Sequence, residues 1–209
     1  VADGNRDQPV TFAGTEWGGI AFYSANRPSR LSHSTVEGVK GVFAGGINIT
    51  NTSDLIIESC SIADNSGVYG GGIYMADSSP TITETEISRN RDCQKGGGIY
   101  MDNSTPTLTD VTVSYNENNH LGGGLYLSRS DPELINLRVT GNSAQAGGGL
   151  YLENSDPTLQ NAVITINSGL VEGGGLYLIG SAPRLIGATI ASNLAGAGAG
   201  LFCESSSPE

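Results

Sequence analysis

The stretch GGGIYMDNSTPTLTDVTVSYN, residues 96–116, is the clearest copy of a pattern that recurs along the chain. The copies share a glycine triplet, an Ile or Leu, a Tyr, a Met or Leu, a Ser, a Pro and a closing Asn. The residue after the glycines marks each copy: Ile20, Ile47, Ile73, Ile99, Leu125, Leu150, Leu176 and Leu201. The successive spacings are 27, 26, 26, 26, 25, 26 and 25 residues. A period this constant predicts a solenoid, in which each repeat packs against its neighbours.

Apolar and polar residues alternate inside each repeat, which indicates strands. Helical solenoids are the competing architecture, but the glycine triplets, prolines and β-branched residues disfavour helices and no segment shows a 3.6-residue period. We therefore predict an all-β, parallel solenoid with about eight coils of 25–27 residues. Each coil is expected to contain three short strands.

Stacked coils place equivalent residues above one another, about 4.8 Å apart, so each repeat position becomes a column. Four apolar columns are predicted to form the core. Besides the marker column they are Phe22, Ile49, Met75, Met101, Leu127, Leu152, Leu178 and Cys203; Leu31, Ile57, Ile82, Leu108, Leu134, Leu159 and Leu185; and Val36, Ile62, Ile87, Val113, Val139, Ile164 and Ile190.

Two polar columns are predicted to be structural, because their side chains can satisfy turn backbone and bond to the coils above and below. One contains Asn65, Asn90, Asn116, Asn142, Asn167 and Asn193. The other contains Thr52, Ser78, Ser104, Ser130, Ser155, Ser181 and Ser206.

The charge balance excludes some partners. The 209 residues include 10 Lys+Arg and 21 Asp+Glu, a net charge of −11. Nucleic acids and anionic membranes require a basic surface, so neither is expected to bind. No apolar run is long enough for membrane insertion.

The cysteines indicate neither a disulfide framework nor a zinc site, because there are three and their spacing fits no metal motif. Cys60 and Cys203 fall in inward columns and are predicted to be buried. Cys93, in the turn RDCQKG, is predicted to be exposed and reactive.

The quoted stretch and its copies resemble the right-handed parallel β-helix repeats of bacterial secreted and cell-surface proteins, a group within the pectate-lyase-like solenoids. The segments DQPVTFAGTEWGGIAF (7–22) and RLSHSTVEG (30–38) resemble the first coils of that group. The resemblance covers essentially the whole chain and implies a right-handed helix and an extracellular location. It does not select a function, because the group includes polysaccharide lyases, hydrolases and epimerases beside adhesins and surface proteins.

A tyrosine column is the first candidate site. Tyr74, Tyr100, Tyr126, Tyr151 and Tyr177 lie between the two inward positions of the first strand and are expected to point outward. A flat aromatic row suits sugar rings or a partner protein. The alternative is structural: each ring could shield the glycine two positions before it, a column made of Gly72, Gly98, Gly124, Gly149 and Gly175. Both roles are compatible.

A carboxylate group is the second candidate site. Glu58, Glu84, Glu86 and Asp110 are predicted to face outward on neighbouring coils, and Glu84 and Asp110 share one column. A stacked pair of carboxylates could serve a glycosidase or bind a cation. The same column continues as Asn136 and Asn161, however, which favours a chance placement.

The other candidate catalytic residues have no evident partner residues in the repeat pattern. His33 and His120 fall in different coils, and nothing pairs with Arg138 or Arg184. Every repeat has nearly the same length, which leaves no insertion for a lid. We therefore expect a non-catalytic surface or structural module that binds polysaccharide or a surface protein. The alternative is a polysaccharide-active enzyme, a lyase, hydrolase or epimerase.

Residues 1–209 are expected to form a single domain. Since neither end shows a polar cap, the sequence predicts a segment of a longer protein or a subunit that self-associates end to end. No cofactor is expected, although backbone carbonyls at a coil edge could complete a calcium site without any motif.

Overall fold

The computed structural model of the protein describes residues 10–13, 18–24 and 27–209. All regular structure in these ranges is β-strand, and the strands pair in parallel across successive coils. Trp17 and most of the segment 7–17, which carries part of the family resemblance, lie outside the described residues.

The strands form four parallel sheets, numbered here 1 to 4. Sheet 1 follows the glycine triplets and contains β2 (Ile20–Tyr23), β5 (Ile47–Thr50), β8 (Ile73–Ala76), β12 (Ile99–Asp102), β16 (Leu125–Ser128), β20 (Leu150–Glu153), β24 (Leu176–Ile179) and β28 (Leu201–Glu204). Sheet 2 contains β3 (Ser29–Ser32), β6 (Leu55–Glu58), β9 (Thr81–Thr83), β13 (Thr107–Thr109), β17 (Glu133–Ile135), β21 (Thr158–Gln160) and β25 (Arg184–Ile186).

Sheets 3 and 4 complete each turn. Sheet 3 contains β1 (Val10–Ala13), β4 (Ser34–Glu37), β7 (Ser61–Ala63), β10 (Glu86–Ser88), β14 (Thr112–Ser114), β18 (Arg138–Thr140), β22 (Val163–Thr165) and β26 (Thr189–Ala191). Sheet 4 contains β11 (Cys93–Lys95), β15 (Asn118–Leu121), β19 (Ser143–Ala146), β23 (Ser168–Glu172) and β27 (Leu194–Ala197).

Sheet 4 corrects the prediction of three strands per coil. From Cys93 onward, each coil adds a fourth short strand between the asparagine column and the next glycine triplet. These strands are mostly polar or small in composition and so lack apolar alternation. The coil count also changes slightly, to about seven turns, because eight sheet 1 strands delimit seven intervals.

The four predicted apolar columns form one core. From Val36 to Leu178, every member of these columns is 0% exposed. The paired residues are in exact register, for example Met75, Met101 and Leu127 in adjacent strands of sheet 1. Members in the outermost coils are partly buried: Ile20, Phe22, Leu31, Leu185, Ile190 and Leu201.

Both polar columns are structural, as predicted. The Oδ1 atom of Asn90 accepts hydrogen bonds from the backbone N and the Nδ2 of Asn65, at 3.0 and 3.1 Å. Asn90 Nδ2 in turn donates to the carbonyl of Ile62, at 3.1 Å. In the serine column, Ser104 Oγ accepts from the backbone N of Ser78. Each side chain therefore satisfies the backbone of a neighbouring coil.

The cysteine predictions are partly wrong. Cys60 is buried as expected, but Cys93 is 0% exposed and Cys203 is the exposed thiol. Cys93 starts β11 with its side chain directed inward, and burial raises its pKa to about 11. Cys203 lies on β28, the last strand of sheet 1 among the described residues, where it pairs on one side only, with β24.

Candidate functional site

The tyrosine column forms a continuous stack of rings on sheet 1. Neighbouring tyrosines have centroids 4.7–5.4 Å apart and ring planes within 7° of parallel. Phe202 extends the stack at one end, and Phe43 contacts Tyr74 edge-on at the other. Such pairs contribute roughly 0.5–1.5 kcal/mol each beyond burial. Each inner ring has other rings over both faces.

Sheet 4 covers much of this stack from outside. The last three tyrosines are only 1–8% exposed, because Leu121 and Ala146 pack against them. Tyr74 and Tyr100 are half-buried and keep part of their surface. The expected outward direction is confirmed, but the expected open surface is absent for the last three rings. Ligand binding by the column stays a prediction, and the exposed parts of Tyr74 and Tyr100 are where it can be tested.

The glycine contacts of the stack also differ from the expectation. A Cβ atom on Gly124, two positions before Tyr126, would lie 3.0 Å from Val139 Cγ1 in the core. A Cβ atom on Gly122 would instead lie 2.9 Å from the Tyr126 Cβ. Tyrosine therefore packs over the first glycine of its triplet, while the third glycine faces inward.

A lysine and a glutamate form hydrogen bonds with the central tyrosine of the stack. Lys95 Nζ donates to the Tyr126 hydroxyl at 2.8 Å and lies 4.5 Å from the centroid of that ring. The hydroxyl itself donates to the carboxylate of Glu153. Burial, and then the hydrogen bond to Glu153, raises the pKa of Tyr126. The stack thus links sheet 1 to sheet 4 through both packing and hydrogen bonds.

The tyrosine stack should make the protein sensitive to alkali. Burial, followed by the Asp102 carboxylate, raises the pKa of Tyr100 from 10.0 to about 12. As the pH rises, the Tyr100 hydroxyl therefore loses its proton in the unfolded chain before it does so in the folded protein. The contribution of Tyr100 to the free energy of unfolding is complete below pH 10 and is lost as the pH rises to 12. We expect the free energy of unfolding in urea to fall across that interval, and to fall less in Tyr100→Phe. An exposed control, Tyr115→Phe, should behave as the wild type. Equal slopes in all three proteins would contradict this assignment.

The predicted column of Glu84 and Asp110 forms a corner between sheets 2 and 3. Its members are His33, Ser59, Glu84, Asp110, Asn136, Asn161 and Gly187, all with φ between 47° and 62°. Asn, Asp and Gly tolerate this left-handed conformation best. Asn136 Nδ2 donates to Asp110 Oδ1 at 2.8 Å, and Ser59 Oγ donates to Glu84 Oε2 at 3.0 Å. The column therefore has a turn-forming role whether or not it binds a ligand.

Sheet 3 forms the floor of an open groove, called here the sheet 3 trough. One part, with a volume of ≈ 530 Å³, is lined by Glu84, Thr85, Glu86, Asp110, Thr112, Ser114, Tyr115, Arg138 and Thr140. A second part, of ≈ 540 Å³, is lined by His33, Ser34, Thr35, Ser59, Cys60, Ser61, Glu84 and Glu86. The two parts adjoin at Glu84 and Glu86, which line both.

The structure brings together most of the predicted carboxylates. Glu84, Glu86 and Asp110 line the trough with Arg138. Glu58 does not line it; this residue ends β6 on sheet 2 and forms an ion pair with Arg30. His33 lies in the same corner column as Glu84, whereas His120 lies on sheet 4.

Sequence reasoning missed the floor and one wall of the trough. Thr112, Ser114 and Thr140 line the trough on sheet 3, and this run of Ser and Thr at alternate strand positions was the available signal. Tyr115 is 66% exposed and its ring lies over Gly141. Its repeat position holds different residues in other coils, so no column revealed it.

The described residues offer no clear metal centre. Within residues 18–24 and 27–209, no three His, Cys, Asp or Glu side chains come together in a way that could hold an ion. Calcium binding by backbone carbonyls at a coil edge stays a prediction. The described part of the chain also contains no helix that could cross a membrane.

Comparison with known families agrees with the architecture. The family described as "Right handed beta helix region" matches residues 18–208. Because this match spans most of the chain, the protein belongs to the right-handed β-helix family. No curated protein shows a significant match.

Proposed function

We propose that the protein is an extracellular, non-catalytic module that binds a linear polysaccharide along the sheet 3 trough. The observation that carries this proposal is the extent of the trough, whose two adjoining parts follow five strands, β4, β7, β10, β14 and β18. Four steps of about 4.8 Å give a length of about 19 Å along the helix axis. An extended chain fits such a shape better than a compact ligand.

The lining chemistry supports a carbohydrate. Thr112, Ser114 and Thr140 line the trough, and hydroxyl side chains both donate and accept hydrogen bonds as sugar hydroxyls do. Tyr115 adds an exposed ring at one wall, and aromatic faces suit the apolar faces of sugars. The rigid register of the coils fixes all these groups before binding, which lowers the entropic cost of association.

Binding is favoured over catalysis because the trough is open and two of its carboxylates serve the fold. Glu84 and Asp110 accept hydrogen bonds within the corner column. Enclosed sites, by contrast, exclude water from the reacting groups. A protein partner and end-to-end self-association remain predicted alternatives.

Polysaccharide cleavage is the second candidate function. The observation that favours it is the presence of Glu84, Glu86 and Asp110 in one concavity with Arg138. Glycosidases use two carboxylates on opposite sides of the scissile bond, one as acid and one as base or nucleophile. Product formation by wild-type protein, lost in Glu86→Gln or Asp110→Asn, would support this function.

A matched pair of variants tests the binding site. Thr112→Tyr fills the trough, whereas Thr107→Tyr adds the same side chain to sheet 2 of the same coil. On an array of linear polysaccharides, the wild-type protein is expected to bind at least one glycan. Thr112→Tyr should raise Kd at least about tenfold, equivalent to about 1.4 kcal/mol, and Thr107→Tyr should leave it unchanged.

Two outcomes would contradict binding in the trough. One is the absence of any retained glycan for the wild type. The other is an equal loss of affinity in Thr112→Tyr and Thr107→Tyr, which would place the ligand elsewhere. Reducing-end and unsaturated-uronate assays on the same glycans distinguish binding from cleavage.

A further inference from the structure

A second concavity lies over sheet 4, beside the tyrosine stack. This sheet 4 pocket has a volume of ≈ 350 Å³ and is lined by Tyr69, Gln94, Lys95, His120, Leu121 and Gln145. We propose that it binds a small carboxylate-bearing ligand with one apolar face, independently of the sheet 3 trough.

The pocket follows from an irregularity in sheet 4. Tyr69, Lys95 and Leu121 occupy one column on three consecutive coils. Cys93 pairs with Asn118 and Lys95 with Leu121, so β15 has one more residue than β11 between the two pairs. Such a bulge redirects side chains and bends the strand. The extra residue places His120 beside the column.

Lys95 supplies the main attraction for an anion. Lys95 is half-buried, and its ammonium group donates to the hydroxyl of Tyr126, which itself donates to Glu153. Within the described part of the chain, Lys95 takes part in none of the ion pairs. Glu153 contacts the far side of the same Tyr126 hydroxyl and forms no direct ion pair with Lys95, so two of the three ammonium donors remain for an anionic ligand.

The other polar groups around the pocket are also donors. Gln94, His120 and Gln145 are exposed and can direct N–H groups to a ligand oxygen. None of the six lining residues is acidic, in contrast to the trough with its three carboxylates. Although the chain has a net charge of −11, the N–H donors and the absence of acidic residues in this lining favour a carboxylate over a neutral or cationic ligand.

The remaining lining is apolar and limits the size of the ligand. The Tyr69 ring and the Leu121 side chain form this part of the wall. The Tyr69 ring is held in place by Phe43 and Tyr100, with centroids 5.3 Å away in each case. The volume is at the small end of the range of roughly 300–1,000 Å³ that is typical of ligand pockets.

Benzoate and benzamide provide a test with matched probes, because they share shape and differ in charge. In two-dimensional NMR titrations, we expect benzoate to shift the side-chain amide signals of Gln94 and Gln145. Its affinity should exceed that of benzamide about tenfold, and Lys95→Gln should remove this preference. His120→Ala and Gln145→Ala should each weaken benzoate binding by about threefold.

The controls separate this pocket from the trough. Gln160→Ala removes an exposed glutamine from sheet 2 and should leave benzoate binding unchanged. Thr112→Tyr should also leave it unchanged, so failure of one site does not imply failure of the other. Equal affinities for benzoate and benzamide, or benzoate binding that is unaffected by both His120→Ala and Gln145→Ala, would overturn the proposal. The exposed variants keep it testable if Lys95→Gln does not fold.

Discussion

Replacing Asn116 with alanine is expected to destabilise the protein by about 4 kcal/mol, because buried polar groups lose their partners. Asn116 is 1% exposed. Its Oδ1 accepts from the backbone N and the Nδ2 of Asn90 at 3.0 and 2.9 Å, and its Nδ2 donates to Ile87 O and Asn142 Oδ1, both at 3.0 Å. Removing the amide leaves the backbone N of Asn90, its Nδ2 and the carbonyl of Ile87, all on the preceding coil, without these partners. In a solenoid this damage falls on an interface between neighbouring repeats.

Asn116→Asp distinguishes the two halves of the amide. An aspartate keeps an acceptor for Asn90, but it loses the donor and places negative charge beside the oxygens of Ile87 and Asn142. We expect this variant to be at least as unstable as Asn116→Ala at neutral pH, and to recover in acid as the carboxyl gains a proton.

Urea denaturation followed by circular dichroism measures both Asn116 variants. The control is Asn119→Ala, at an exposed asparagine of β15, which should change stability by less than about 0.5 kcal/mol. If Asn116→Ala and Asn119→Ala were equally stable, the asparagine column would not be a main source of stability.

The repeated residues made the fold predictable. Stacking brings like residues into contact, so a column of Asn or Leu in the sequence becomes a ladder in space. Asn90 and Asn116 therefore had an evident shared environment, and so did Met75 and Met101. Glu84 and Asp110 could be placed in one column for the same reason.

The features that were not predictable depend on residues that break the repeat. Cys93 was misjudged because sheet 4 is built from polar and small residues with a bulge, and short segments of that kind resemble turns. The same unseen sheet covers the later tyrosines. Tyr115 and Lys95 contribute to sites as single residues, so no periodic signal accompanied them.

Replacing Gly123 with alanine should be strongly destabilising, although it adds only one methyl group. A Cβ atom there would lie 2.4 Å from the carbonyl oxygen of Gly148 and 2.5 Å from that of Ser143. Both obstacles are backbone, so no rotamer change can relieve the overlap. We expect a loss of about 3 kcal/mol or failure to fold, since overpacking of this kind forces the backbone to shift.

The last coil provides an internal comparison for this effect. Ala199 occupies the position equivalent to Gly123, and within the described residues its coil has a neighbour on one side only. At the third position of the same triplet, a Cβ atom on Gly200 would meet only Ile190 Cγ2, at 3.6 Å. Gly200→Ala should therefore be nearly neutral in thermal denaturation, whereas Gly123→Ala should lower Tm sharply. Similar Tm values for both variants would mean that neighbouring coils can separate to admit a methyl group, and the glycine triplets would then need a different explanation from close backbone contact.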